Sequence, residues 1–86
     1  MLKIIHAPVF IKQFNKLDND LQIEVSEKVE SFKNEDNHKN LNVHKLHGKF
    51  KDKYTFYINY KIRVVFMWVG KKEVALLVVG DHDLYK

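Results

Sequence analysis

The run Val74 to Val79 (VALLVV) constrains this chain more than any other stretch. A strand that alternates apolar and polar residues can leave one face to water. A short run that is apolar on both faces has to be central in a sheet and covered on both sides. Two further strand segments precede it. Tyr54 to Asn59 is rich in aromatic and β-branched residues, and Lys61 to Val69 is a second apolar run. Between the last two lies Gly70-Lys71, a two-residue hairpin turn of type II′ with glycine first. The C-terminal third is therefore a β-meander, and the rest of the chain has to supply the layer that covers it.

That layer is legible upstream. Leu2 to His6 forms a short strand through Ile4 and Ile5. Pro8 suits the first turn of a helix, where its missing N–H leaves no bond unmade. From Val9 to Leu17 the residues Phe10, Phe14 and Leu17 recur at helical spacing, with Lys12 and Lys16 on the opposite side. Asp18-Asn19-Asp20 interrupts the pattern and supplies an N-cap and negative charge to the next helix. Leu21 to about Lys33 carries the stripe Leu21, Val25, Val29 and Phe32, and Glu24/Lys28 is an i,i+4 pair in the favourable order. The short break makes the two an antiparallel hairpin. Residues 34–40 form a polar loop. Leu41 to Gly48 is irregular and ends in a glycine suited to a turn. The predicted fold is α+β, in the order β-α-α-β-β-β, with the helical hairpin packed on one face of a twisted antiparallel sheet.

With 86 residues, one domain spanning 1–86 is expected. No cysteine is present, which removes disulfides and thiolate metal sites. The net charge of +4, from 15 Lys+Arg against 11 Asp+Glu, favours a polyanionic partner such as nucleic acid or an acidic protein. Met1 to His6 is too short and polar for a signal peptide, and Val74 to Val79 is far below the ~20 residues of a membrane helix. A soluble cytoplasmic protein is the expectation.

Register from the Gly70-Lys71 turn pairs Met67 with Val74, Val65 with Leu76 and Arg63 with Val78. It predicts that Val64, Phe66 and Trp68 lie under the helices with Ala75, Leu77 and Val79, and that Arg63 opens on the other face. The arginine could pair Asp81 or Asp83 there. His82 between those aspartates also has the composition of a turn. Tyr54, Phe56, Tyr57 and Tyr60 suit sheet aromatics. His38, His44 and His47 fit no strong zinc spacing, so no metal is expected.

Several segments, in this order and spacing, are similar to the RelE/ParE superfamily of bacterial toxin–antitoxin systems. They are Lys3 to Phe10, the helical hairpin, His44-Lys45-Leu46-His47-Gly48, Ile62-Arg63-Val64-Val65-Phe66, and Val79-Gly80-Asp81-His82-Asp83-Leu84-Tyr85. The resemblance covers essentially the whole chain. It implies the family's sheet and helical hairpin, an antitoxin protein as partner, and one of two activities. RelE-, YoeB- and YafQ-like members cleave mRNA, usually on the ribosome, whereas ParE-like members inhibit DNA gyrase. Arg63 matches the strand arginine that contacts the scissile phosphate, His82 the catalytic histidine near the C-terminus, and His44 the histidine of the YafQ-like segment. Tyr85 falls near a C-terminal tyrosine. The second-strand lysines of RelE are replaced here by Tyr54 and Phe56, and the strand histidine of YafQ-like members by Tyr57. A histidine-based, metal-independent and cofactor-free endoribonuclease is the expected activity. In it Arg63 holds phosphate, His82 is the general acid, and His44 is the base or orients substrate. Tyr85 or Tyr54 stacks on a base or bonds to phosphate, and Lys45, Lys49, Lys51 and Lys53 grip flanking phosphates. A gyrase inhibitor, or a degenerate member that only binds its antitoxin, is the alternative.

Overall fold

A computed structural model describes residues 1–81. Strand β1 (Lys3–His6) leads into helices α1 (Pro8–Asn15) and α2 (Asn19–Phe32). A two-residue strand β2 (His44–Lys45) and short 3₁₀ turns follow. Strands β3 (Tyr54–Tyr57), β4 (Ile62–Gly70) and β5 (Glu73–Asp81) complete a five-stranded sheet in the order β1-β5-β4-β3-β2.

The helices form where the apolar spacing and punctuation put them. Pro8 opens α1, and the Asp18 carboxylate caps α2 by accepting from Leu21 N at 2.9 Å. Their inward stripes, Phe10 with Val25, Val29 and Phe32, are buried against Phe56, Val64, Phe66, Val74, Leu76 and Val79 of the sheet. Aromatic rings concentrate at the centre. Phe32 stacks on Phe56 at 4.3 Å and meets Phe66 edge-on at 4.8 Å. Trp68 is half-buried at the margin of this cluster.

Three expectations about the sheet are corrected. It is mixed rather than antiparallel, because β1 runs parallel to β5, from Lys3 opposite Glu73 to His6 opposite Leu76. Beyond the end of β1, helix α1 takes over the open edge: Gln13 Oε1 accepts from Val79 N at 2.9 Å. Second, the stretch expected to be irregular contains β2, which pairs His44 with Thr55 and Lys45 with Tyr54. Third, the turn between β4 and β5 is Lys71-Lys72, with Gly70 opposite Glu73. Register shifts follow at Val69 and Leu77, so the pairs are Trp68–Val74, Phe66–Leu76, Val65–Val78 and Arg63–Gly80. Val74 and Leu76 consequently enter the core in place of Ala75 and Leu77, while Val79 is buried as the sequence predicts. A bulge changes which residues oppose one another, and apolar residues on both sides of β5 let either register bury a hydrophobic face.

Candidate functional site

Strand alternation places Arg63 on the sheet face away from the helices, because its neighbours Ile62 and Val64 are both in the core. The pairing of β3 with β4 sets Tyr57 directly opposite Arg63. The guanidinium carbon lies over the Tyr57 ring, 3.8 Å from its centroid, and Nη1 donates to the Tyr60 carbonyl at 2.9 Å. One face of the cation is thus held by a π system and one N–H by the backbone of the β3–β4 turn. Its remaining N–H groups are directed by a rigid frame, the arrangement that suits bidentate grip of a phosphate.

His44 reaches the same ring from β2. Its imidazole meets Tyr57 edge-on at a centroid distance of 6.0 Å. His44 Nδ1 donates to the Asn42 carbonyl at 2.8 Å. A carbonyl can only accept, so in neutral His44 the proton sits on Nδ1 and Nε2 is left as the basic nitrogen. Asn42 adopts the left-handed conformation at φ 56°, which asparagine tolerates better than most residues, and this bend brings its carbonyl back to the imidazole. Arg63 and His44 therefore converge on one tyrosine, with the guanidinium over its face and the imidazole in a T-shaped contact with it. Thr55, opposite His44, is fully buried and donates from Oγ1 to the Val64 carbonyl at 2.9 Å, tying β3 to β4 beneath them.

The other predicted residues are distributed differently. His82 and Tyr85, like Asp83, lie outside the described residues. Tyr54 is turned to the helical side, where its ring stacks with Phe66 at 5.6 Å. Tyr54 and Tyr57 are three positions apart on a strand, an odd number, so they face opposite ways and Tyr54 does not join Arg63. Phe56 is in the core. Lys45, opposite Tyr54, alternates away from the His44 face. Lys49 and Lys51 are exposed in the turn after Gly48, Lys53 is half-buried at its end, and Lys49 Nζ lies 5.5 Å from the Phe50 ring centroid. Gly48 adopts φ 69°, a left-handed turn position that glycine occupies without strain. Asp81 sits opposite Ile62, one position off the Arg63–Gly80 pair, so its side chain leaves the sheet on the other face from the guanidinium. Among the described residues no three histidine, aspartate or glutamate side chains gather as a metal site.

Two residues gain a meaning here that the sequence alone does not give them. Tyr57 reads as a sheet aromatic until the β3–β4 register reveals what lies on its ring. Tyr60 reads as a sheet aromatic too, yet it stands on the β3–β4 turn and is 89% exposed. Separately, an apolar groove of about 380 Å³ runs between the helices, lined by His6, Phe10, Phe14, Val25 and Val29, on the opposite side of the sheet from Arg63. No helix among the described residues is long and apolar enough to cross a membrane.

No protein-family model matches the sequence, and no curated protein matches it significantly. Solved structures do. A conserved hypothetical protein from Helicobacter pylori is 28% identical, with 96% of this chain and 97% of that chain covered and a TM-score of 0.74. The RelBE2 toxin–antitoxin complex of Mycobacterium tuberculosis contains a chain 11% identical, with 94% and 98% covered and a TM-score of 0.78. YafQ from E. coli is 10% identical over the full length of both chains, with a TM-score of 0.72. At such low identity the last two likenesses concern the fold. What these neighbours share with the chain is the α+β fold of the RelE-like toxins, which bears out the fold that the sequence resemblance implies.

Proposed function

We propose that this chain, which has the fold of the RelE-like toxins, is the toxin of a toxin–antitoxin pair and a metal-independent endoribonuclease that cleaves mRNA, on the ribosome, in the cytoplasm. The observation that carries the proposal is the Tyr57 ring, which has the Arg63 guanidinium over its face and the His44 imidazole in a T-shaped contact at 6.0 Å.

The chemistry follows from those groups. The RNA 2′-oxygen attacks the adjacent phosphorus, the P–O5′ bond breaks, and a 2′,3′-cyclic phosphate results. His44 Nε2 takes the 2′-hydroxyl proton, since Nδ1 is already committed to Asn42. His82 returns a proton to the departing 5′-oxygen. Arg63 offsets the charge that builds on the non-bridging oxygens in the crowded transition state, and a fixed donor of this kind is worth about 10²–10³-fold in rate. Tyr85 contributes by contact with a base or the phosphate. Lys49, Lys51 and Lys53 attract the flanking backbone, and Lys45 adds to the field from the other side of β2. The partner is a cognate antitoxin protein, as the toxin–antitoxin complexes among the neighbours suggest.

The test is induced expression of wild-type, Arg63→Ala and His82→Gln proteins with mapping of cut mRNAs, in cells and with naked RNA, beside a gyrase supercoiling assay. Cuts that disappear in both folded variants are expected. Undiminished cleavage by both would remove the assignment, and gyrase inhibition without RNA cuts would establish the ParE-like alternative.

A further inference from the structure

We propose that Tyr60 is a stacking platform for a nucleobase of single-stranded RNA, placed beside the phosphate that Arg63 holds. The inference rests on the nuclease reading above and adds a binding residue to it.

The β3–β4 turn is built more firmly than a surface turn requires. Asn59 Oδ1 accepts from Lys61 N at 2.9 Å and from Ile62 N at 2.7 Å. Asn59 Nδ2 donates to Glu24 Oε1 at 2.8 Å, which anchors the turn to α2. Ile58 N donates to the Ile62 carbonyl at 2.9 Å and closes the loop. Asparagine here does the local hydrogen bonding expected of a turn residue. Tyrosine at the next position does nothing comparable: its side chain is 89% exposed, so it buries almost no ring area, and its backbone is outside the positive-φ region. Folding thus makes no demand for an aromatic at this point.

The backbone of the same residue does have a task, because its carbonyl receives Arg63 Nη1 at 2.9 Å. The guanidinium is therefore tied to the backbone of the residue that carries the ring, with exposed Lys61 next in sequence. A fixed cation beside a free aromatic face is the basic combination by which proteins hold single-stranded RNA: charge for the backbone and a π-face for the base. Stacking is tolerant of base identity, so the platform adds affinity and register rather than strict sequence choice. Tyr54, the aromatic to which the sequence points for this task, faces the helices with its ring on Phe66.

The experiment is fluorescence anisotropy with a labelled, uncleavable 2′-O-methyl RNA oligonucleotide and an abasic version of the same length. The proteins are wild type, Tyr60→Ala, Tyr60→Phe and Arg63→Ala. Tyr60→Ala is expected to bind the intact oligonucleotide about 5- to 160-fold more weakly, the range for loss of one stacked base. Tyr60→Phe should match wild type, and Tyr60→Ala should lose nothing further on the abasic oligonucleotide. Wild-type affinity in Tyr60→Ala together with weakened binding in Arg63→Ala overturns the platform and leaves the nuclease reading standing. A wild-type protein that binds neither oligonucleotide overturns the platform, and the mapping of cut mRNAs in cells then decides the nuclease reading.

Discussion

Replacing Tyr57 separates a tyrosine that holds Arg63 from one that performs chemistry itself. The ring lies 3.8 Å beneath the guanidinium carbon, and the Tyr60 carbonyl provides the second restraint. Tyr57→Leu removes the first restraint and keeps the second. A cation–π contact of this kind is worth about 0.5–2 kcal/mol, which corresponds to about 2- to 30-fold in phosphate affinity. The loss should therefore be smaller than the ~10²–10³-fold expected for Arg63→Ala, where the donor itself disappears. Tyr57→Phe keeps the π-face and should stay within about 2-fold of wild type, because the quadrupole is retained. The assay is single-turnover cleavage of a short RNA across substrate concentrations, with urea midpoints to confirm that each protein is folded. Activity in the order wild type, Tyr57→Phe, Tyr57→Leu, Arg63→Ala is expected. Two results would refute the reasoning: Tyr57→Leu as active as wild type, or Tyr57→Phe as impaired as Arg63→Ala, which would make the phenol hydroxyl the working group.

Three further outcomes are expected from the same structure. Lys49→Gln with Lys51→Gln should weaken binding of all single-stranded RNAs alike and flatten the slope of log affinity against log salt by about 0.7 for each phosphate no longer neutralised; an unchanged slope in a salt titration would rule out a phosphate role for this turn. Phe32→Ala removes a fully buried ring that touches Phe56, Phe66 and His38, so a loss of about 3–5 kcal/mol is expected in urea unfolding, a large share of the ~4–13 kcal/mol typical of a chain this size; a loss below about 1.5 kcal/mol would mean that the core re-closes around the gap. Glu35 is hydrogen-bonded to Lys72, and that bond is the largest cause holding its carboxyl below the usual value of 4.5. A depressed carboxylate stabilises the fold above its unfolded pKa, and that contribution fades as pH falls through the lower folded value. Glu35→Gln should accordingly lower the urea midpoint slightly at pH 7 and lose that effect in strong acid; an equal shift at both would contradict the linkage.

How legible the site was in the sequence depended on how local each piece of information is. The Arg63 face could be read because β4 runs without a bulge from Ile62 to Val65, and no partner is needed to see which side carries the charge. The helices could be read for the same reason, since Pro8, the Asp18 cap and the stripe from Val25 to Phe32 are short-range signals. The resemblance named His44, but the grouping of residues around Arg63 was hidden because they arrive from other strands. Tyr57 acquires its meaning from a cross-strand register, and His44 from a two-residue edge strand too short to leave a period in the sequence.

Composition, apolar spacing and turn residues alone determined that this chain is α+β, that a helical hairpin covers one side of its sheet, and that a lone strand arginine opens on the other. Tertiary structure decided the parallel seat of β1, the bulges at Val69 and Leu77, the aromatic under the guanidinium and the exposed ring on the turn beside it. The physical reason is one of range. Alternation and helical period act between residues a few positions apart, whereas register is chosen by two strands together, and an apolar strand such as β5 satisfies more than one choice until the whole sheet is assembled.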